Sequence, residues 1–275
     1  MYTPRILIGA AVLAATSGVA CSGDEVGRLT PALSSGNAQQ CESAAKALGA
    51  LGPRAAAAAP AMLDVVVKQR RAKGATCWMI VADELPKIGP AAMSLLLAAL
   101  GDQRAEDAAY VLSGMGAAAL PTLSKALAEP KSAEGAASAI AFLGRAGAPA
   151  LPALREAHKK GRLTEEKFLA CISWFRSAET VPDLAAALRS GDIEVRWMAL
   201  RALEDFVAKS PDAVKAVSFA LQDASPEIRN HALVALSKAG PAASSAVPAV
   251  RLAADRRLVS PSLAKTAIAR MQPRQ

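Results

Sequence analysis

One pattern is written twice in residues 181–240, and this stretch decides the fold. Residues 184–203 read LAAALRSGDIEVRWMALRAL and residues 217–236 read VSFALQDASPEIRNHALVAL, an offset of 33 positions (184 to 217). In both copies an apolar helical run leads into a polar turn and then a second helical run, and Arg196 falls on Arg229. A repeat of this length is typical of a helical hairpin that stacks on copies of itself. The stretch therefore predicts an all-α solenoid.

The composition also favours closely stacked helices. Apolar residues make up 52% of the 275 residues but aromatic residues only 4%, so the core has to be built from Ala, Leu and Val. Small side chains suit closely packed helices better than a β-sandwich or barrel. Only the Val run at residues 65–67 resembles a strand, and helical patterns flank it on both sides.

Two landmarks mark the helix ends along the chain. A Pro between apolar residues opens the first helix of a hairpin, because Pro is tolerated in the first helical turn; the clearest copies are Pro121, Pro152, Pro182 and Pro248. A left-handed Gly closes the preceding helices at Gly52, Gly89, Gly116, Gly144 and Gly240. Together these landmarks predict second helices over residues 41–51, 77–88, 104–115, 132–143, 164–176, 193–207, 227–239 and 261–272. The pattern corresponds to about seven helical hairpins and a leading helix.

The better preserved copy of the pattern resembles a HEAT repeat of the phycobilisome-lyase type. The likeness rests on residues 181–184 (VPDL), 192–196 (DIEVR) and 199–203 (ALRAL), with residues 225–236 as a second match. It implies a right-handed α-α superhelix of the HEAT/armadillo type, with a repeat domain over residues 41–275. It also implies a structural ladder between repeats, formed by Asp192, Arg196, Asp223 and Arg229.

The N-terminus is typical of an exported protein. Arg5 precedes an apolar run over residues 6–15, which is too short to span a bilayer, and small residues follow it. Residues 18–21 (GVAC) resemble the lipobox of bacterial lipoproteins, in which the signal is cleaved before a Cys that carries a diacylglycerol. Gly18 departs from that pattern, since a Leu-like residue is usual there, and this leaves cleavage by the ordinary signal peptidase open.

This reading divides the N-terminal part into two segments. We expect a signal peptide over residues 1–20 and then a lipidated Cys21 with a flexible polar tether over residues 21–40. Ser22, directly after the Cys, resembles the signal for retention in the outer membrane. The expected location is therefore the periplasmic side of a bacterial cell envelope.

The remaining cysteines and the histidines give no sign of a metal site. Cys41 and Cys77 stand near equivalent places on successive repeats and could form a disulfide in an oxidising compartment, although their register differs by one residue. Cys171 has apolar neighbours and is expected to be a small buried side chain. HEAT-like metal hydroxylases carry His-Glu pairs, whereas neither His158 nor His231 is followed by Glu. We predict no metal and no cofactor, with His158 solvated and His231 packed against its own helix.

The second helices offer the best candidates for binding a partner. The buried stripe of residues 193–207 leaves Trp197 and Arg201 off the core, and the same register places Asn230 and Tyr110 on the inner face of the solenoid. Exposed aromatic residues are frequent hot spots of protein interfaces. The alternative is that Trp197 and Trp174 lie flat against adjacent repeats as part of the core, as we expect for Trp78.

Basic residues cluster in the turns between first and second helices, and hence on one edge of the solenoid. The chain has a formal net charge of +8, and this basic edge comprises Lys68, Arg70, Arg71, Lys73, Lys159, Lys160, Arg162, Arg256 and Arg257. It could meet an anionic surface such as lipid headgroups, lipopolysaccharide or an acidic protein. The alternative is a solvated edge, because cations near helix C-termini are favoured by the helix dipole.

The sequence as a whole favours a non-enzymatic, envelope-anchored scaffold or adaptor that binds a protein partner on its concave face, and no nucleic acid. Two alternatives belong to other classes. One is a cytoplasmic nucleic-acid-binding protein that uses the basic edge, which the export signal disfavours. The other is a lyase-like enzyme, for which the chain has no recognisable catalytic motif.

Overall fold

The computed structural model describes residues 22–72 and 74–272, so the predicted signal peptide, Cys21 and Lys73 lie outside the described residues. The described residues form helices and turns without a strand. The α-helices are α1 Ser22–Ala32, α2 Ala38–Leu51, α3 Ala59–Arg70, α4 Cys77–Glu84, α5 Pro90–Ala99, α6 Ala105–Ser113, α7 Leu120–Ala126, α8 Ala133–Phe142, α9 Leu151–Lys159, α10 Glu165–Ser173, α11 Val181–Ala187, α12 Ile193–Val207, α13 Pro211–Ala220, α14 Pro226–Ala239, α15 Val247–Asp255 and α16 Pro261–Met271. The chain divides into two compact units, residues 1–95 and 96–275, with the boundary inside α5.

In unit 1 the helices α1 to α4 pack as two hairpins around a core of small and aliphatic residues. Helix α2 packs against α4 as well as against α1, and α3 packs against α4. Leu48, Leu63 and Val66 are fully buried. By length and composition the run Ala38–Arg70 could cross a membrane. Here it consists of α2, a 3₁₀ turn and α3, and its apolar side chains pack into the core of the unit.

The prediction of a flexible tether over residues 21–40 is wrong where the structure describes that segment. Residues 22–32 form α1, which packs against α2, and Val26 and Leu33 are buried there. Asn37 then caps α2, since its side-chain oxygen accepts a hydrogen bond of 3.2 Å from the backbone N–H of Gln40. The burial of Val26 and Leu33 therefore holds α1 against the repeat domain. The predicted leading helix α2 is thus paired with α1 in a hairpin.

Cys41 and Cys77 are joined by a disulfide in unit 1. Cys41 is the fourth residue of α2 and Cys77 the first residue of α4; the two helices lie side by side, and the Cα atoms of the cysteines are 6.1 Å apart. This separation falls within the range that a disulfide requires. The register difference of one residue is thus accommodated by the packing of α2 on α4.

Unit 2 has two layers of helices. The second helices α6, α8, α10, α12, α14 and α16 pack against one another in chain order, and the first helices α11, α13 and α15 form a neighbouring layer. Helix α12 has the predicted bounds of 193–207 at both ends. Along the whole chain the other second helices begin and end within three residues of prediction, if the 3₁₀ turn Leu85–Ile88 is counted with α4.

The connections between hairpins are more regular than the sequence suggests. The predicted helix-ending glycines all have positive φ, although Gly52, Gly89 and Gly240 have ψ of −133°, −140° and −136° and so lie outside the left-handed helical region that we predicted. Residues 52–58, 144–150 and 240–246 then form 3₁₀ helices. Their buried residues stand three and six positions after the glycine, as a helix of three residues per turn requires. They are Ala55, Ala58, Gly147, Ala150, Ala243 and Ala246.

The predicted ladder between repeats is present in part. Arg196 Nε donates a hydrogen bond of 2.8 Å to Asp223 Oδ2 in the next turn, and its Nη1 donates to the Ser190 carbonyl at 3.0 Å. Arg229 is bonded instead to the Leu258 carbonyl, at 2.8 Å, because Arg256 stands one period after Asp223. Asp192 is not a rung of the ladder, since it is exposed and caps α12 by accepting from the Glu194 N–H.

Candidate protein-binding site

A groove opens on the face of unit 2 where α6, α8 and α10 lie side by side. Its volume is about 390 Å³. Phe142 is 48% exposed and Trp174 66% exposed at this groove, which we call the aromatic groove. Its polar lining includes Glu106, Glu134 and Lys167, and its other lining residues are Ala105, Gly135, Ala137, Ser138, Ala141, Ala170 and Cys171. Small residues leave the floor open, so the groove could accept a side chain or a stretch of backbone.

The two exposed rings belong to the last turns of neighbouring helices. Phe142 is the last residue of α8, and its ring lies edge-on to Tyr110 of α6, with 6.3 Å between the ring centroids. Trp174 is the C-cap of α10. The alternative that Trp174 lies flat in the core is wrong, because the residue is 66% exposed. Trp78, which we expected in the core, is half-buried.

Cys171 forms part of the groove floor and is chemically inert there. Its Sγ donates a hydrogen bond of 3.2 Å to the Ala137 carbonyl. Burial raises the pKa of the Cys171 thiol to about 12, while the nearby Lys167 lowers it to a smaller extent. The group thus remains a thiol at neutral pH and is not an activated nucleophile.

A second, smaller pocket contains Trp197. The pocket lies between α12 and α14, has a volume of about 280 Å³, and is lined by Ile193, Glu194, Trp197, Ser225, Glu227 and Ile228. Trp197 is half-buried, and its ring centroid lies 4.7 Å from that of His231. His231 therefore does not pack only against its own helix, as we predicted. Its Nε2 lies 2.6 Å from Glu204 Oε1 of α12; both atoms are buried, although their orientation does not make a hydrogen bond.

The residues predicted for the inner face do not form one cluster. Arg201 and Asn230 are exposed on α12 and α14, and Arg201 stands one helical turn after Trp197. Tyr110 is half-buried and belongs to the aromatic groove region through its contact with Phe142. Phe142 is not among the residues that the sequence pattern predicts for this face. Phe142 and Trp174 each stand eight positions after a first-turn Glu (134 to 142 and 166 to 174). This shared spacing is a sequence signal that the two aromatic residues occupy equivalent places on successive second helices.

A further regularity, also missed, runs across the second helices. A glutamate occupies the second position after the N-cap in five successive ones, α6, α8, α10, α12 and α14, and all five are exposed. We call this set the glutamate column: Glu106, Glu134, Glu166, Glu194 and Glu227. Glu227 accepts a hydrogen bond of 2.6 Å from the Ser225 hydroxyl, which lowers the pKa of its carboxyl. In the described residues no cation pairs with Glu134, Glu166 or Glu194.

The basic-edge residues that the structure describes lie in or beside the turns after α3, α9 and α15. Some of them are neutralised locally, because Lys160 pairs with Glu156 at 2.8 Å and Lys68 lies 3.9 Å from Asp64. His158 lies beside this edge, and the prediction that it is solvated is wrong. Its ring stacks on Phe168 with centroids 4.9 Å apart, and its Nδ1 lies 3.1 Å from the Leu163 carbonyl. Nowhere in residues 22–72 and 74–272 do three His, Cys, Asp or Glu residues gather as metal ligands would.

The chain was compared with protein families, curated proteins and solved structures. A family model of HEAT repeats matches residues 181–260. Among solved structures, an engineered protein is similar over 90% of this chain and 77% of its own, with a TM-score of 0.43 and 19% identity. The complex of CpcE and CpcF of phycocyanin lyase from Nostoc is similar over 98% and 100%, with a TM-score of 0.29 and 17% identity. Human deoxyhypusine hydroxylase is similar over 80% and 99%, with a TM-score of 0.31 and 16% identity.

No curated protein matches the chain in sequence. At the identities of the solved structures, the likeness concerns the fold alone. The family match and the stacked helical hairpins identify the fold as an all-α, HEAT/armadillo-like solenoid.

Proposed function

We propose that this chain is a non-enzymatic scaffold of the bacterial cell envelope that binds a protein partner on the second-helix face of unit 2. The observation that carries the proposal is the exposure of Trp174 and Phe142, 66% and 48%, at a groove of about 390 Å³. Large aromatic side chains exposed around a concavity are typical of interface hot spots. Solenoids bind their partners on extended faces of this kind.

The chemistry of the groove supports binding rather than catalysis. Cys171 stays protonated because burial raises its pKa to about 12, and the groove has no His in its lining. The remaining polar groups, Glu106, Glu134 and Lys167, are suited to orienting a bound chain. Trp197, Arg201 and Asn230 extend the same face beyond the groove, and Tyr110 contacts the Phe142 ring edge-on.

The location of the protein forms part of the proposal. Cys21 would carry the lipid that holds the protein on the periplasmic side of the envelope, at the outer membrane. The disulfide between Cys41 and Cys77 supports an oxidising compartment, where such bonds form and persist. The basic edge would then be available to an anionic surface.

Photocrosslinking in cells tests the binding face. A photoreactive amino acid at Ser138, on the lining of the aromatic groove, should capture a partner that the Trp174→Ala variant no longer captures. The matched control is Ser218, which lines a cavity of about 440 Å³ among first helices and should give no such product. Equal capture from both positions, or capture at Ser138 that survives Trp174→Ala, would contradict the proposal.

Metabolic labelling with palmitate tests the anchor. We expect the intact chain to incorporate the label and to sediment with membranes, and the Cys21→Ser variant to do neither. An ordinary signal peptide would give an exported but unlabelled protein. Labelling that persists in the Cys21→Ser variant would show that another residue carries the lipid.

A further inference from the structure

We propose that the first-helix layer of unit 2 carries a site for a small organic oxyanion, a carboxylate or a phosphate monoester with an apolar body. The site is the cavity of about 440 Å³ formed by α11, α13 and α15, which we call the first-helix cavity. A cavity of this volume is within the range of small-molecule sites. It belongs to a different layer of helices from the aromatic groove, so the inference goes beyond the proposed function.

Arg189 stands at the wall of the first-helix cavity with most of its hydrogen-bond donors unused. Its guanidinium carbon lies 4.7 Å from the centroid of the Phe219 ring, and Phe219 is 46% exposed. Among the described residues its guanidinium makes only one hydrogen bond, a long one of 3.4 Å from Nη1 to the Ala185 carbonyl. Cation–π attraction to the ring holds the guanidinium in place and leaves the N–H groups at its edges free. Arg189 is therefore preorganised to donate bidentate hydrogen bonds to an oxyanion.

Lys215 supplies a second positive charge to the same place. It is exposed on α13 four residues before Phe219, about 6 Å along the helix axis, so an anion beside the Phe219 ring is within reach of both cations. In the described part of the chain no carboxylate pairs with Arg189 or Lys215, although Asp212 lines the same cavity. The two cations therefore lack a counter-ion of their own.

The apolar floor of the cavity consists of alanines from three successive first helices, Ala185, Ala216 and Ala249. Ala216 and Ala249 stand one and two periods of 33 residues after Asp183 (183 to 216 to 249). In that earlier repeat the Asp183 carboxylate pairs with Arg155 of the neighbouring helix at 2.7 Å. The cavity thus lies where methyl groups take the place of a carboxylate that neutralises a cation, and it has room for the apolar body of a ligand.

Gln222 and Asp212 set the direction of the ligand. Gln222 lines the cavity three residues after Phe219, and its side-chain amide makes no hydrogen bond among the described residues, so it can donate to the anionic group. Asp212 stands seven residues before Phe219 (212 to 219), about 10 Å along the helix axis. Its carboxylate repels a second negative group at that end. The ligand is therefore charged at one end, beside Arg189, and uncharged along the rest.

Ligand-observed NMR titrations with the purified chain test the inference. The probes are 3-phenylpropionate and phenyl phosphate, and the comparison compound is the neutral 3-phenylpropanamide, which has the same number of non-hydrogen atoms. We expect the oxyanions to bind with a Kd on the order of 1 mM, as suits molecules of this size. The amide should bind at least about tenfold more weakly, because it lacks the charge-assisted hydrogen bonds. The tighter of the two oxyanions identifies the ligand as a carboxylate or a phosphate ester.

Variants of exposed cations locate the binding. Arg189→Gln should weaken the binding of the preferred oxyanion about tenfold, and Lys215→Gln about two- to fivefold. Arg251→Gln is the matched control, because Arg251 is exposed on α15 outside the lining of the cavity and its replacement lowers the net charge equally. This control should keep the wild-type Kd within about twofold. Circular dichroism checks that each variant is folded, and if Arg189→Gln is unfolded, Lys215→Gln carries the test.

The outcomes separate this site from the proposed function. Equal binding of the oxyanions and the amide, or no binding of either oxyanion, would overturn the inference. An equal loss in Arg251→Gln would show a general attraction to the net positive charge and overturn it as well. Binding that is lost in Trp174→Ala would mean that the ring of the probe occupies the aromatic groove instead. Capture at Ser138 in cells depends on the aromatic groove alone, so either proposal can fail without the other.

Discussion

At the scale of single residues, successive hairpins are held together by arginines that reach from one turn to the next. The Arg196 and Asp223 side chains are only 13% and 7% exposed, and Arg196 also donates to the carbonyls of Ser190 and Gly191. Asp223 raises the pKa of Arg196 through their hydrogen bond. Arg155 and Asp183 make a similar pair at 2.7 Å, but Arg155 is 42% exposed. The two Arg-Asp pairs have similar contact distances but differ in exposure, so comparing them isolates the effect of burial on stability.

Replacing Arg196 should cost more stability than replacing Arg155. Arg196→Ala leaves the Asp223 carboxylate with only the Ser225 N–H as a donor and removes the arginine from two carbonyls, so we expect a loss of about 2 kcal/mol in the free energy of unfolding. Arg155→Ala removes a pair whose arginine is more exposed than Arg196, 42% against 13%, and should cost less, about 1 kcal/mol or below. Urea unfolding followed by circular dichroism measures both. A larger loss for Arg155→Ala would show that exposure does not govern these contacts.

Some single-residue contacts could be predicted from the sequence and others could not. The recurrence of Arg196 and Arg229 predicts a ladder, and the first rung has the predicted partner. The second rung uses a backbone carbonyl, which no residue type reveals. The exposure of Trp174 was missed for a related reason. Helical periodicity tells which face of a helix a residue is on, but not that the helix ends at that residue.

At the scale of elements, the helix ends determine how one hairpin follows the next. Gly240 ends α14 with φ 60° and ψ −136° and starts the 3₁₀ helix at residues 240–246. A residue with a Cβ is strained in this conformation. The space around it is not the constraint, since an added Cβ would meet its nearest atom, the Arg270 carbonyl oxygen, only at 3.6 Å.

Gly240→Ala should therefore destabilise the protein by about 1–3 kcal/mol through backbone strain alone. Gly191→Ala is the matched control, because Gly191 has a conformation open to other residues and no atom within 4 Å of an added Cβ. We expect its effect to be near zero or slightly stabilising. Thermal unfolding of the two variants measures the difference. Equal melting temperatures would mean that the backbone at residue 240 relaxes without cost.

Element boundaries were predictable where apolar periodicity and end signals coincide. Helix α12 has both and was predicted at its observed bounds. Helix α1 has Gly, Ser and Pro in its sequence, and these indicate a tether when they are read without their neighbours. Its helical state depends on burying Val26 against unit 1, a tertiary effect that local propensity does not contain. The 3₁₀ connections were not predicted, because in each of them only two small buried residues show the period of three.

At the scale of the whole molecule, the one covalent crosslink in the described residues lies in unit 1. The disulfide joins Cys41 and Cys77 across 36 positions of sequence, whereas unit 2 contains only the free, buried Cys171. A crosslink stabilises mainly by limiting the unfolded chain. The two units therefore differ in how their stability responds to reducing conditions.

Reduction should consequently weaken unit 1 selectively. We expect the Cys41→Ser, Cys77→Ser variant to lose about 2–4 kcal/mol of stability in unit 1. Hydrogen exchange measures it, with faster exchange in α2 and α4 and unchanged exchange in α12 and α14. The wild type treated with a reductant should reproduce the pattern. Uniformly faster exchange along the chain would show that the two units unfold as one.

Helix α1 determines how far an anchored protein could reach. It begins at Ser22, the residue after Cys21, and is packed on α2. Acylation of Cys21 would therefore leave almost no slack chain between the lipid and the folded domain. A protein anchored by so short a linker stays close to the membrane surface, whereas a protein on a long flexible linker can reach across the periplasm. Its partner would have to come to the membrane surface, or belong to that membrane already.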